Sequence, residues 1–215
     1  MKPIVAFIYD FDKTLCTTDM QNYTFIPNLD IKPEKFWKES IHFATDHKMD
    51  PILAYMFLMI KKSQNESKQF RREDFVSHGK SIEFFPGIPE WFEQINNYCK
   101  EKKITSEHYI ISSGLKEIIE GTKIKRYFKD IFACEFLYDQ HNVAVWPKMA
   151  INYTGKTQYL FRINKGVSDI SDNITINEYI DEDERSIPFR NMIYIGDGFT
   201  DIPCMKLVKS SGGHS

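Results

Sequence analysis

No cysteine pair with metal-binding or redox spacing occurs in this 215-residue chain. Cys16, Cys99, Cys134 and Cys204 stand far apart, which argues against a zinc site or a disulfide framework and for reduced thiols in a cytosolic protein. An excess of either charge is missing too. With 28 basic and 30 acidic side chains the net charge is −2, so no basic surface announces nucleic acid or an anionic membrane. The N-terminus offers one lysine and a short apolar run that leads straight into aspartates, which is no signal peptide. The most apolar later stretch, PILAYMFLMI (51–60), ends at Lys61-Lys62, too short to span a bilayer and suited to a buried helix. Repeats and low-complexity tracts are lacking. What remains is 42% hydrophobic and 14% aromatic residues, enough for one large domain or one domain with a smaller appendage. A small molecule is the default partner.

Three short apolar runs share one shape: IVAFIYD (4–10), HYIISSG (108–114) and NMIYIGDG (191–198) each end in small or acidic residues. A fourth, IFACEF (131–136), lies between the last two. Such runs fit strands covered on both faces. Helical patterns at 89–103, 115–122 and 157–166 separate them, with Pro89 suited to a first turn and Gly121 and Gly166 to helix ends. The alternation predicts an α/β fold, a three-layer doubly wound parallel sheet. Residues 17–85 break the rhythm with amphipathic helices and no strand pattern, Asp50-Pro51 making a good helix start. They read as an α-helical cap subdomain inserted between 1–16 and 86–215, with Phe85-Pro86-Gly87 as the return hinge. Residues 137–155 suggest a strand pair; 167–190, with the acidic run 181–184, suggest an exposed excursion. After the Gly212-Gly213 pair a further strand is expected in such a sheet, and none is seen, which puts the sheet edge in doubt.

In an open α/β sheet, ligands bind beyond the carboxyl ends of the strands. Asp10 and Asp12, Ser112 and Ser113, and Asp197 and Asp201 all fall there. Four carboxylates converging on one edge call for a cation, and oxygen-only ligands point to Mg²⁺. A calcium loop is set aside, because no glycine follows at its sixth position and no helix precedes. A D-x-D pair alone also fits metal-dependent sugar transferases.

DFDKTL (10–15), IISSG (110–114), Lys156 at a helix start and GDGFTD (196–201) together resemble, in order, the four motifs of the haloacid dehalogenase superfamily, in particular its phosphoserine-phosphatase-like members with a helical cap after the first motif. The resemblance covers essentially the whole chain. It implies a cytoplasmic Mg²⁺-dependent phosphatase acting on a small phosphorylated metabolite. Asp10 would be the nucleophile that forms an aspartyl-phosphate, and Asp12 the general acid and then the base. Asp10, Asp197 and the main-chain carbonyl of Asp12 would hold Mg²⁺. Ser112, Ser113, Gly114 and Lys156 would bind the phosphoryl group, Ser112 being preferred as donor beside backbone N–H groups at the helix start. Asp201 would orient Lys156 or a metal-bound water, and Thr14 would secure the first motif's loop. Rival readings are a phosphotransferase or nucleotidase on the same chassis, and a binding protein without turnover.

Other conspicuous residues have plainer readings. His42, His47, His78, His108 and His141 show no metal spacing, and His214 lies at the tail. Phe36, Trp37, Phe43, Tyr55 and Phe57 read as helix packing, some of them facing the site if a cap closes over it.

Overall fold

A computed structural model describes residues 3–65 and 70–215; residues 66–69, within the expected cap, lie outside the described residues. β1 (Ile4–Tyr9) pairs in parallel with β2 (Thr105–Leu115) and β5 (Met192–Ile195), and β2 pairs in parallel with β3 (Phe128–Tyr138). Ala6 and Ile8 in β1 are fully buried, as strands covered on both faces require. β4 (Ala144–Met149) runs antiparallel to β3, giving the order β4-β3-β2-β1-β5. The sheet is therefore mixed rather than wholly parallel. The turn makes the difference: Asp139 Oδ1 accepts the N–H groups of His141 and Val143, and Asn142 takes a left-handed φ of 61°.

The order fixes where a ligand can sit. From β1 the chain steps to β2 and β3, then returns through α7 (Lys156–Lys165) to β5 on the far side of β1. Right-handed crossovers that reverse direction place their helices on opposite faces and leave a crevice at the switch point between β1 and β5. Phe92 of α5 (Ile88–Glu101) packs on Tyr9, His108 and Phe128, and Tyr159 of α7 packs on Phe132. α8 (Ile202–Ser210) packs on β5 and α7. The tail also differs from expectation. His214 forms a parallel bridge with Ile193, exchanging backbone hydrogen bonds with Tyr194 and Met192, so a strand-like pairing does follow the glycine pair along the outer edge of β5.

Between β1 and α5 come α1 (Phe25–Asn28), α2 (Pro33–His47), α3 (Pro51–Asn65) and α4 (Arg72–His78). Asp50 starts α3 as its sequence predicts, accepting the N–H groups of Ile52 and Leu53. The apolar PILAYMFLMI helix buries Ile52, Ala54, Tyr55, Met56, Leu58 and Met59. Among the described residues, no helix is long and apolar enough to cross a membrane. The helical stretch is joined to the core at several points. Arg72 N–H donates to Asn142, Phe70 accepts from Ala144 N–H, and α4 meets α6 (Lys116–Glu120) where Gly79 and Gly121 touch. Residues 167–190 hold short 3₁₀ turns, and the acidic run is exposed, with Arg190 pairing Glu182 and Asp183.

Candidate active site

β1 delivers Asp10 to the switch point, and the Asp10 N–H still donates to Ile195 of β5 at 2.9 Å, holding the residue in register. β5 delivers Asp197 from the other side, two residues past its end. Asp201, directly before α8, is fully buried. Lys156 opens α7 at 1% exposure, far from the surface position a lone lysine usually takes. Its Nζ lies 2.9 Å from Asp10 Oδ1 and 2.8 Å from Asp201 Oδ1. A buried ammonium needs such partners, since an unpaired one would lose several kcal/mol of solvation. Asp201 Oδ1 also accepts the Tyr194 hydroxyl at 2.8 Å, and its Oδ2 accepts Gly198 N–H at 3.2 Å. A Cβ on Gly196 would come within 2.5 Å of Asp201 Cγ, so the loop leaves no room there for a side chain.

Environment separates the two carboxylates of the first motif. Burial pushes Asp10 up to about 6; Lys156 opposes the rise and Asp201 adds to it. Asp12 is held well above the usual carboxylate range by burial, then by the charges of Asp10 and Asp19, against a 2.8 Å hydrogen bond from Met20 N–H. The push towards the protonated form is set against an ammonium contact at 2.9 Å for Asp10 and against a backbone N–H for Asp12. Burial pulls the Lys156 ammonium down, but Asp10 and Asp201 outweigh it and hold it above its ordinary value.

The remaining motif residues gather around this pair. Thr14 Oγ1 donates to Asp197 Oδ1 at 3.2 Å, tying the first motif's loop to the fourth. Ser112 is fully buried, and its Oγ accepts Gly114 N–H at 3.0 Å, leaving the hydroxyl proton for another acceptor. Ser113 presents its carbonyl to the Tyr55 hydroxyl at 2.8 Å, while its own buried hydroxyl has no hydrogen-bond partner among the described residues. The pairing of β2 with β3 shifts register between Ile111 and Leu115, and such an irregularity re-aims side chains at a strand end. Asp10, Asp12, Ser112, Ser113, Lys156 and Asp197 all line one cavity of about 330 Å³. Gly114 does not line it. Its N–H is spent on Ser112, the next N–H, of Leu115, goes to Met20 Sδ at 3.1 Å, and a Cβ at Gly114 would strike Met20 and Asp12.

Four side chains unassigned from the sequence share the cavity wall: Lys13, Asp19, Tyr153 and Thr200. Lys13 Nζ pairs with Asp19 Oδ1 at 2.9 Å. Lys13 stands inside the quoted DFDKTL motif, but nothing in the pattern says where its head goes. Asp19 follows a stretch without periodicity and gives no signal. Tyr194 reads as strand core; the available clue is that a tyrosine buried in a strand must find a partner for its hydroxyl. Of the aromatics on the inserted helices, Tyr55 reaches the second motif, whereas Phe43 stacks on Phe57 within the helices.

A doubly wound sheet with an acidic cluster at its switch point defines an α/β protein with an all-oxygen site. Sequence comparison then places it: residues 7–206 match the haloacid dehalogenase-like hydrolases, and the chain belongs to that family. An uncharacterised protein of Borreliella burgdorferi is 28% identical over 233 aligned positions, which cover 96% of this chain and 79% of that one. Among solved structures, a HAD family hydrolase from Salmonella enterica serovar Typhi superposes with a TM-score of 0.62 at 17% identity, covering 99% of this chain and 67% of its own. A substrate-bound phosphoserine phosphatase gives 0.61 at 15% identity, over 100% of this chain and 86% of its own. A phosphoserine phosphatase in a phospho-aspartyl intermediate analogue gives 0.60 at 15%, over 99% and 93%. At these identities the structural likenesses speak for the fold.

Proposed function

We propose that this protein is a magnesium-dependent phosphatase that hydrolyses a small phosphomonoester through an aspartyl-phosphate on Asp10. The observation that carries the reading is the unequal environment of two carboxylates two residues apart: Asp10 lies 2.9 Å from the Lys156 ammonium, while Asp12 accepts Met20 N–H at 2.8 Å and is held well above the usual carboxylate range by burial. An Asp10 oxygen attacks phosphorus as the ester P–O bond breaks, and Asp12 gives its proton to the departing oxygen. Asp12, now ionised, then takes a proton from the water that attacks the aspartyl-phosphate, which frees phosphate and restores Asp10. Lys156 neutralises charge on the transferring oxygens, and the Ser112 hydroxyl donates to one of them. Asp201, held by Tyr194, keeps Lys156 in place.

The donor chemistry fits a hard cation. Asp10, Asp197 and Asp201 each offer a carboxylate oxygen within 4.8 Å of the others. Asp201 is already engaged by Lys156, Tyr194 and Gly198. Asp10, Asp197 and the Asp12 carbonyl would therefore hold Mg²⁺, which when bound neutralises charge between nucleophile and phosphate.

Residues 17–85 act in this reading as the cap over a core of 1–16 and 86–215. Two contacts support it: Asp19 lies on the cavity wall, and Tyr55 of α3 hydrogen-bonds the second motif. A cap so placed limits the substrate to a small phosphorylated metabolite and excludes bulk water from the first step. The test is phosphate release from a panel of phosphomonoesters with and without Mg²⁺. Metal-dependent release is expected. Metal-dependent turnover that survives Asp10→Asn contradicts the assignment of the nucleophile.

A further inference from the structure

We infer that Asp50, at the start of the apolar helix α3, is a positioning residue for Lys156, acting through Asn152 on the turn from which α7 begins. The inference rests on the phosphatase reading, in which Lys156 meets the transferring oxygens, and deepens it. Both oxygens of the Asp50 carboxylate are in use. Oδ1 accepts the N–H groups of Ile52 and Leu53 at 2.9 and 3.1 Å, and Oδ2 accepts the Asn152 side-chain amide at 3.0 Å, across 102 positions of sequence. Asn152 passes the constraint on. Its Oδ1 accepts Gly155 N–H at 3.0 Å, and its carbonyl accepts Lys156 N–H at 3.1 Å. The first N–H groups of a helix have no partner within it, so the preceding turn must supply one. One carboxylate thereby joins the first turn of α3 to the backbone that carries Lys156.

A second route from the same helix closes a ring. Tyr55, further along α3, donates to the Ser113 carbonyl at 2.8 Å, and Cys134 Sγ donates to that carbonyl at 3.3 Å. Ile151 N–H in turn donates to Cys134 Sγ at 3.2 Å, and Ile151 is the neighbour of Asn152. Tyr55, Cys134 and Ile151 are buried, whereas Asn152 is exposed. The Asp50–Asn152 bond is thus the wet member of the ring, the one a substitution can open without disturbing the core. Lys156 depends on such placement. As the first residue of α7 it follows the turn before it, and its ammonium is divided between Asp10 at 2.9 Å and Asp201 at 2.8 Å. A drift of the helix start lengthens both bonds together, and misplacement by about 1 Å is enough to cost an enzyme heavily in rate.

Reciprocal exchange of the two side chains tests this. Asp50→Asn keeps a capping oxygen for α3 but turns its amide towards the Asn152 amide, donor against donor. Asn152→Asp keeps an acceptor for Gly155 N–H but sets carboxylate against carboxylate. Combined, the two substitutions let donor and acceptor change places and rebuild the bond. Each single variant should lower kcat on the best ester roughly three- to tenfold with little change in KM, the loss of one hydrogen bond felt mainly in the transition state. Each should also speed amide hydrogen exchange across residues 152–157. The double variant should bring both readings back to within about twofold of the unmutated protein, the non-additivity expected of residues in contact. Single variants that leave exchange and kcat unmoved would overturn the inference. So would a double variant whose losses simply add, a change confined to KM, or a lower Tm with kcat unchanged. The expected exchange pattern in a protein that releases phosphate from no ester would overturn the phosphatase reading and leave the Asp50–Asn152 link standing.

Discussion

Asp201 holds three partners at once, and its neighbours show how closely single residues are specified around it. Its Oδ1 accepts from both Lys156 and Tyr194, so the tyrosine hydroxyl positions the group that positions the lysine. Tyr194→Phe removes one hydrogen bond to a charged acceptor in a dry site, an interaction worth about 1.5–3 kcal/mol. Turnover should fall roughly tenfold or more with a smaller change in KM, as expected when a group acting mainly on the transition state is displaced. Steady-state kinetics on the best ester checks the split; a change in KM alone would place Tyr194 in substrate binding. Gly196→Ala should be more damaging, because the new Cβ must push Asp201 itself rather than the tip of a mobile chain. The members of this cluster are legible in the sequence, since Asp10, Asp12, Lys156 and Asp197 occupy strand ends or a helix start in a fixed order. Tyr194, Met20 and the Lys13–Asp19 pair are not. Their contacts join residues that no local pattern relates, such as Leu115 N–H with Met20 Sδ.

The same boundary between local and long-range information appears among the elements. Asp50-Pro51 announces α3, Gly166 ends α7 in the left-handed conformation at φ 73°, and the apolar runs become strands. The strand pair expected over 137–155 is found as the end of β3 with β4; what the pattern does not give is that this pair extends the central sheet, or that the Phe70–Arg72 segment adds backbone bonds to it. The joint between α4 and α6 is equally hidden: a Cβ on Gly121 would lie 1.7 Å from the Val76 carbonyl, and one on Gly79 would lie 2.2 Å from the Ile118 carbonyl. Both obstacles are backbone and cannot rotate away. Gly121→Ala should therefore separate the helices and destabilise the protein by about 2–4 kcal/mol, at or beyond the usual range for overpacking. Thermal unfolding reads this directly. An unchanged Tm would mean that the α4–α6 joint does not hold the helical stretch to the core.

At the scale of the whole molecule, a buried histidine links stability to pH. Trp91 Nε1–H donates to the Tyr9 hydroxyl at 2.9 Å, Tyr9 donates to His108 Nδ1 at 3.1 Å, and His108 Nε2–H donates to Asn96 Oδ1 at 2.8 Å. This chain suits a neutral ring, and burial pushes His108 down to about 4. The unfolded chain takes up the proton near pH 6.5, whereas the native protein resists until about 4. The contribution of His108 is thus fully present above pH 6.5 and declines as the pH falls towards 4, by about 3 kcal/mol. Asp10, with its raised value, acts in the opposite sense, so the comparison must be differential. Urea unfolding of the unmutated protein and His108→Gln across this range should show their stability difference shrinking with acidity; a constant difference would contradict the neutral assignment.

In the proposed function, everything at this scale depends on one covalent event. The most direct measurement is acid-quenched turnover of a good ester in Mg²⁺, followed by peptide mass analysis for an acid-stable, base-labile phosphoryl group. The account predicts that group on Asp10, present during turnover and missing from Asp10→Asn. A phosphoryl group on any other residue, or hydrolysis that proceeds at full rate with Asp10 replaced, would contradict it.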